Sequence, residues 1–146
     1  MPDSEPADRD APAFTMPLER GKIREFATAT GSSSAEYLTD PEPVIPPTFL
    51  RTSAFWTPPG AGALTGIKLD LRRILHGEQE YTFFGPPPRA GTDLTVTQRV
   101  ESVETKQGKR GGEMLVIAIV NDFCDASGKL IAQGRQTLIQ TGKAPQ

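Results

Sequence analysis

The chain has a single cysteine, Cys124, and a single histidine, His76. One cysteine excludes an internal disulfide, and one histidine leaves no Cys/His set of zinc-binding spacing. No metal site is expected. Cationic excess is also missing: 16 Lys and Arg face 18 Asp and Glu, for a net charge of −2. A protein that binds nucleic acid needs a basic surface to replace counterions, so nucleic acid is not an expected partner. No apolar run approaches the roughly 20 residues of a membrane-spanning helix. The opening stretch MPDSEPADRDAPAF carries four acidic residues and lacks the apolar stretch of a signal peptide. A cytoplasmic location is therefore expected.

What is present fits one α+β domain, since 146 residues can bury a real core. Residues 1–14 read as a loose acidic tail, and residues 15–146 as the packed domain. Residues 18–30 show a first helical pattern, with Ile23, Phe26 and Ala27 on one face and Gly31 placed to end it. A proline-stiffened loop is expected over residues 31–47, too long to be an idle connector. Residues 48–56 carry a single charge, Arg51, and predict a buried helix, opened by Pro46-Pro47 and stopped by Pro58-Pro59-Gly60. Strand patterns follow over 69–84, 94–105, 114–123 and 129–141, separated by turn residues. A long buried helix wrapped by an antiparallel sheet is the hot-dog layout. The run MLVIAIVNDF at 114–123 would be aggregation-prone if left open, so a dimer through the sheet edge is expected.

Three motifs carry a resemblance. Residues 19–31 follow the pattern ER-x-x-I-x-x-FA-x-A-x-G, PPTF stands at 46–49, and HGEQEYTFFGPPPRAGT at 76–92. Together they resemble the N-terminal-type MaoC dehydratase domain, also called the FAS1-like dehydratase domain. The resemblance implies a hot-dog fold and the chemistry of (R)-specific enoyl-CoA hydratases and 3-hydroxyacyl-thioester dehydratases. In catalytic members a loop GD-x-NP-x-H supplies an Asp and a His that activate one water, and an N–H donor meets the developing enolate oxygen. A CoA thioester is then a substrate, and no cofactor is needed.

This chain departs from that loop. Ser32 stands at the Asp position and Tyr37 at the His position. Neither a serine hydroxyl nor a phenol is a good base at neutral pH. No histidine lies anywhere from 31 to 55. The resemblance therefore implies a non-catalytic half that pairs with a catalytic MaoC-type subunit and shapes the acyl site, for fatty-acyl or steroid side-chain substrates. The candidate substrate-binding residues are Tyr37, Thr48, Phe55, Trp56, His76 and Gly77. Phe49, Phe55 and Trp56 read first as core aromatics, with contact to an acyl or steroid moiety as the other reading. His76 with Glu78 is the alternative catalytic pair, for a self-sufficient hydratase or thioesterase. A further alternative is an acyl-thioester-binding protein with no catalytic partner. Asp40, beside Pro41, reads as a turn residue, and Arg72, Arg73 and Arg89 as possible contacts for CoA phosphates.

Overall fold

In the computed structural model the described residues run from 10 to 142. Five antiparallel strands form one sheet: β1 (Phe14–Pro17), β2 (Ile74–Phe83), β3 (Asp93–Gln107), β4 (Glu113–Cys124) and β5 (Leu130–Gln140). Their spatial order is β1-β3-β4-β5-β2. The fold is the expected α+β hot-dog class. The two short hairpins β3–β4 and β4–β5 are local, whereas β2 is carried across the sheet to pair with β5. The loop that follows β2 contains Pro86, Pro87 and Pro88, whose extended preference suits a crossing of the sheet end.

Two expectations about the sheet need correction. The apolar run at 114–123 is not an edge; it lies in β4, the central strand, bonded on one side to β3 and on the other to β5. Among the described residues, β2 is the edge strand on one side, and on the other side β3 runs unpaired beyond its match to β1 and the bridge at Arg99. The acidic tail also ends earlier than expected. Asp10 bridges to Arg99, Ala11 N–H donates to the Gln98 carbonyl at 2.9 Å, and Phe14 is buried in β1. Pairing with β3 outweighs the local proline content there, so residues 10–14 belong to the packed part. The rest of the expected tail lies outside the described residues.

Helix α1 (Arg20–Ala29) buries Ile23 and Ala27, as their spacing predicts. It closes in a Schellman arrangement: Gly31 N–H donates to the Thr28 carbonyl at 3.1 Å, and Ser32 N–H to the Ala27 carbonyl at 2.8 Å. Gly31 has φ +80° with nothing near an added Cβ. Gly31→Ala therefore costs backbone strain alone. We expect a loss of about 1 kcal/mol in chemical denaturation, with no change in the slope of the transition.

The loop at 31–47 is not featureless, since it holds a short helix α2 (Ala35–Leu38). The element expected as a long central helix is a 3-10 helix of seven residues, Phe49–Phe55. Prolines at 46, 47, 58 and 59 bracket it and leave little room for more turns. Its buried side still does the expected work. Phe49, Leu50, Thr52 and Ser53 are buried, and Phe49 meets Phe26 of α1 edge to face at 5.5 Å. The expected strand over 69–84 is shorter than its pattern, because Leu71–Arg73 form a 3-10 turn capped by Asp70.

Candidate functional site

On the core face of the sheet, rows of side chains run across the strands. One row joins Val96, Phe123, Ala132 and Phe83, and packs with Ile23, Ile45, Phe49 and Leu50 as the main apolar cluster. Further along the sheet, Ile117 and Leu138 join a second cluster with Val100, Ile119 and Ala63. Between them the core face turns polar. Gln98, Asn121, Gly134 and Tyr81 are register partners across four strands, and the next row holds Gln136 and Gln79. Asn121 thus occupies a core-facing place in a run of aliphatic neighbours.

Gln98, Asn121 and Gln136 of this belt, with Ile119, floor an open pocket of about 250 Å³. Its walls come from Arg51 and Ser53 of the 3-10 helix and from Leu64 of the connector. Ala63 N–H donates to Gln98 Oε1 at 3.4 Å, which ties the connector to the floor. Among the described residues, Asn121 Oδ1 and Gln79 Oε1 are buried amide oxygens with no hydrogen-bond donor from the protein. Gly134 makes room for the ring of Tyr81, since a Cβ there would sit 3.1 Å from Tyr81 Cε1. Burial pushes the Tyr81 phenol up to about 12, and Arg51 opposes that rise. The raised value has a sign that a titration can check. The folded state holds the proton more tightly, so the contribution is complete below the ordinary tyrosine value of about 10 and is lost as pH rises to about 12. Melting temperature should fall across that window, and Tyr81→Phe should flatten the fall.

The residues singled out in the sequence do not converge on this pocket. Ser32 Oγ accepts from Ser34 N–H at 3.3 Å, inside its own loop. Tyr37, on α2, packs against the main cluster, as does half-buried Trp56. Phe55 is 80% exposed and so is not a core aromatic. Thr48 is exposed at the start of the 3-10 helix, where the Phe49 N–H is already taken by the Pro46 carbonyl. Asp40 forms the expected turn, accepting from Glu42 N–H at 2.8 Å. The three arginines considered for phosphates each have a partner within the chain. Arg72 pairs with Asp70, Arg73 donates to the Thr141 carbonyl, and Arg89 to the Glu42 carbonyl.

His76 is exposed near the start of β2. Its register partner is Leu138, whereas Glu78 is partnered by Thr137, the next residue of β5. The extra residue between them is Gly77, a β-bulge. Adjacent residues of a strand face opposite ways, so the bulge places His76 on the core face and Glu78 on the outer one. Glu78 and Glu80 lie in the field of Arg135 on that outer face. The expectation that His76 and Glu78 share a face is therefore wrong, because plain alternation does not count a bulge. Gly77 itself is fixed by packing; an added Cβ would lie 2.9 Å from Ile139 Cδ1. His76 is seven residues along β2 from Phe83, roughly 20 Å at strand rise. Phe83 and Tyr37 both pack on the main cluster. No histidine stands beside the Ser32 loop.

The model of the FAS1-like dehydratase domain region matches residues 9–134, most of the chain. The chain belongs to this family. A UPF0336 protein of Streptomyces coelicolor is 35% identical over 126 residues, covering 80% of this chain and 75% of the relative. One from Streptomyces avermitilis is 37% identical over 127 residues, with the same coverage. Among solved structures, this dehydratase-domain chain is similar to the HadBC (3R-hydroxyacyl-ACP dehydratase) complex from Mycobacterium tuberculosis. The TM-score is 0.66 at 19% identity, with 92% of this chain and 97% of the other covered. The ChsH1-ChsH2 complex from the same organism gives a TM-score of 0.65 at 13% identity, over 94% of this chain and 86% of that one. These likenesses establish the MaoC-like hot-dog fold. Among the described residues, no helix is long and apolar enough to cross a membrane.

The polar belt is the feature that the sequence reading missed. Its signal was present. Leu94, Val96, Gln98 and Val100 alternate in β3, and Ile117, Ile119, Asn121 and Phe123 in β4. An amide in the apolar phase of each strand marks a place where the core gives way.

Proposed function

We propose that this chain is the non-catalytic, substrate-shaping subunit of a heteromeric hot-dog enoyl-thioester hydratase or 3-hydroxyacyl-thioester dehydratase in the cytoplasm. One observation carries the reading: the dyad positions are Ser32 and Tyr37, and the only histidine lies near the start of β2, split from Glu78 by the bulge at Gly77. Water addition to an enoyl thioester needs a positioned base near the water, and no such pair is assembled here. The partner would carry the GD-x-NP-x-H loop and perform the proton transfers on a fatty-acyl or steroid side-chain CoA ester. The heteromeric make-up of the HadBC and ChsH1-ChsH2 complexes supports this assignment.

The open edge of β2 is where a partner sheet would continue this one. It is ten residues long, with Leu75 half exposed and Phe84 just beyond it. An unpaired strand of that length is normally covered. Co-expressed with a hot-dog subunit that carries the catalytic loop, the chain should elute with it as one complex. A chain that sediments as a stable monomer at micromolar concentration beside such a subunit would sink the reading.

A further inference from the structure

The charges of this chain are unevenly placed. At one end of the sheet the turn before β2, the end of β5 and the β3–β4 hairpin tip meet. Thr141 N–H donates to the Arg73 carbonyl at 2.8 Å, and Asp70 N–H to Gln140 Oε1 at 2.8 Å. At the tip, Gly108 N–H donates to the Gly112 carbonyl at 2.9 Å, and a Cβ added to Gly112 would lie 3.1 Å from Gly142. The tip and the turn are thus both held against residues 140–142. Six basic residues gather there: Lys68, Arg72 and Arg73 on the turn side, and Lys106, Lys109 and Arg110 on the tip side. Three acidic residues stand among them. Asp70 pairs with Arg72 at 3.0 Å, Glu104 with Lys106 at 3.5 Å, and Glu113 has no ion pair among the described residues. This end keeps a surplus of three positive charges in a chain whose total is −2. Lys68, Lys109 and Arg110 are exposed and have no ion pair among the described residues. Arg73 Nε donates to the Thr141 carbonyl, a neutral partner that leaves its charge uncompensated. In the middle of the sheet the outer face is different, since Arg99 there pairs with Asp122 and Arg135 with Glu101. One apolar group stands in the basic rim. Leu71 is 83% exposed, between Asp70 and Arg72 in the 3-10 turn, and contributes little to this chain's own core.

Spacing narrows the choice of partner. β4 and β2 lie two strands apart across β5, so the tip and the turn stand roughly 10 Å from each other. One phosphate or one carboxylate cannot reach both. Successive turns of an α-helix are about 5.4 Å apart, so carboxylates on two or three turns of one helix can. A nucleic-acid duplex would extend past this end and meet the acidic remainder of the chain. We propose that the basic end of the sheet docks an acidic amphipathic helix of a partner protein, with Lys68, Arg73, Lys109 and Arg110 facing its carboxylates and Leu71 packing on its apolar side. Complementary charge of this kind fixes orientation and speeds encounter. The proposal goes beyond the subunit reading and does not require the catalytic partner.

The test titrates the full chain into a fluorescent helix-forming peptide that carries Glu on three successive turns beside a Leu. A second peptide has each Glu replaced by Gln. The acidic peptide should bind at least about tenfold tighter than its Gln counterpart. Raising NaCl from about 50 mM to about 500 mM should weaken it by at least about tenfold, because exposed charges are screened. Backbone amide signals in nitrogen-15 NMR should shift at 68–73 and 106–112. Lys109→Glu with Arg110→Glu should weaken the acidic peptide by at least about tenfold, and Leu71→Ser by at least about threefold, with little change in melting temperature because all three residues are exposed. Lys68→Glu is a second variant, away from the hairpin, and should also weaken binding. Arg20→Glu with Arg24→Glu makes the same change in total charge on α1 and should leave affinity within about twofold. Equal binding of the two peptides would overturn the proposal, as would an equal loss from the α1 pair. Displacement of the peptide by micromolar CoA or inorganic pyrophosphate would overturn it in favour of a phosphate site. Self-association of the chain that the tip variant abolishes would overturn it in favour of a second copy. Failure to find a catalytic partner would remove the subunit reading and leave this result standing. Loss of peptide binding would leave the subunit reading intact.

Discussion

Purified alone, the chain is expected to leave crotonyl-CoA and longer enoyl-CoA esters unhydrated, at the rate of buffer. General acid–base catalysis by a positioned side chain supplies roughly 10²- to 10⁴-fold, and the proposed reading puts that pair on the partner, because Ser32 and Tyr37 stand at the dyad positions here. In a reconstituted complex, replacing the partner's catalytic histidine should lower turnover by that order. His76→Ala in this chain should lower it by less than about tenfold, since His76 is exposed at the start of β2 and its carboxylate neighbour faces the other way. Tyr37→Ala and Trp56→Ala should alter KM or chain-length preference more than the chemical step. Placing Asp at 32 and His at 37 should not create a second efficient site. Pro46 and Pro47 still provide no N–H at the start of the 3-10 helix, where an enolate oxygen would need a donor. Robust turnover by the pure chain, lost on His76→Ala, would reverse the assignment.

Phe123→Ala should be the most damaging substitution for stability. Phe123 has no exposed surface, lies in the central strand, and joins Val96 and Ala132 in the row that carries the main cluster. Truncating a fully buried phenylalanine costs about 3–5 kcal/mol, from lost transfer energy and the cavity left behind. Against a typical total of about 5–15 kcal/mol, much of the folded margin disappears. Urea denaturation should show a large fall in midpoint with little change in slope. A loss below about 1 kcal/mol would mean that the cluster collapses around the gap and that the row is not the organising centre.

The sequence was most legible where structure is local. The two hairpins β3–β4 and β4–β5 are each read from alternation and a glycine-bearing turn, and their bounds fall within a few residues of the patterns. Helix α1 and its glycine stop are likewise written in neighbouring residues. Three features escaped because their cause is distant or breaks the period. The short strand β1 is held by β3, about eighty residues away, with little propensity of its own. Which strand lies at the edge depends on where β2 docks, and alternation is silent on that. The bulge at Gly77 shifts the phase of β2 by one residue, so a pair that plain alternation sets on one face is divided between two. The same blindness affected the site. The resemblance led to the loop at Ser32 and Tyr37, whereas the amides in the apolar phase of β3 and β4 were treated as ordinary strand residues.

The sheet order has a consequence for how the chain is made. β2 is synthesised before the three-stranded meander, yet its partner β5 follows roughly fifty or more residues later, so its pairing closes a long loop and comes late. Until then the ten residues that become β2 have no strand to pair with, and Leu75 stays half exposed even in the finished fold. Glu78 and Glu80 stand in the middle of that strand, where like charges on a second nascent copy would repel it. The two glutamates thus set like charges against self-pairing of this strand while its own β5 is still to come.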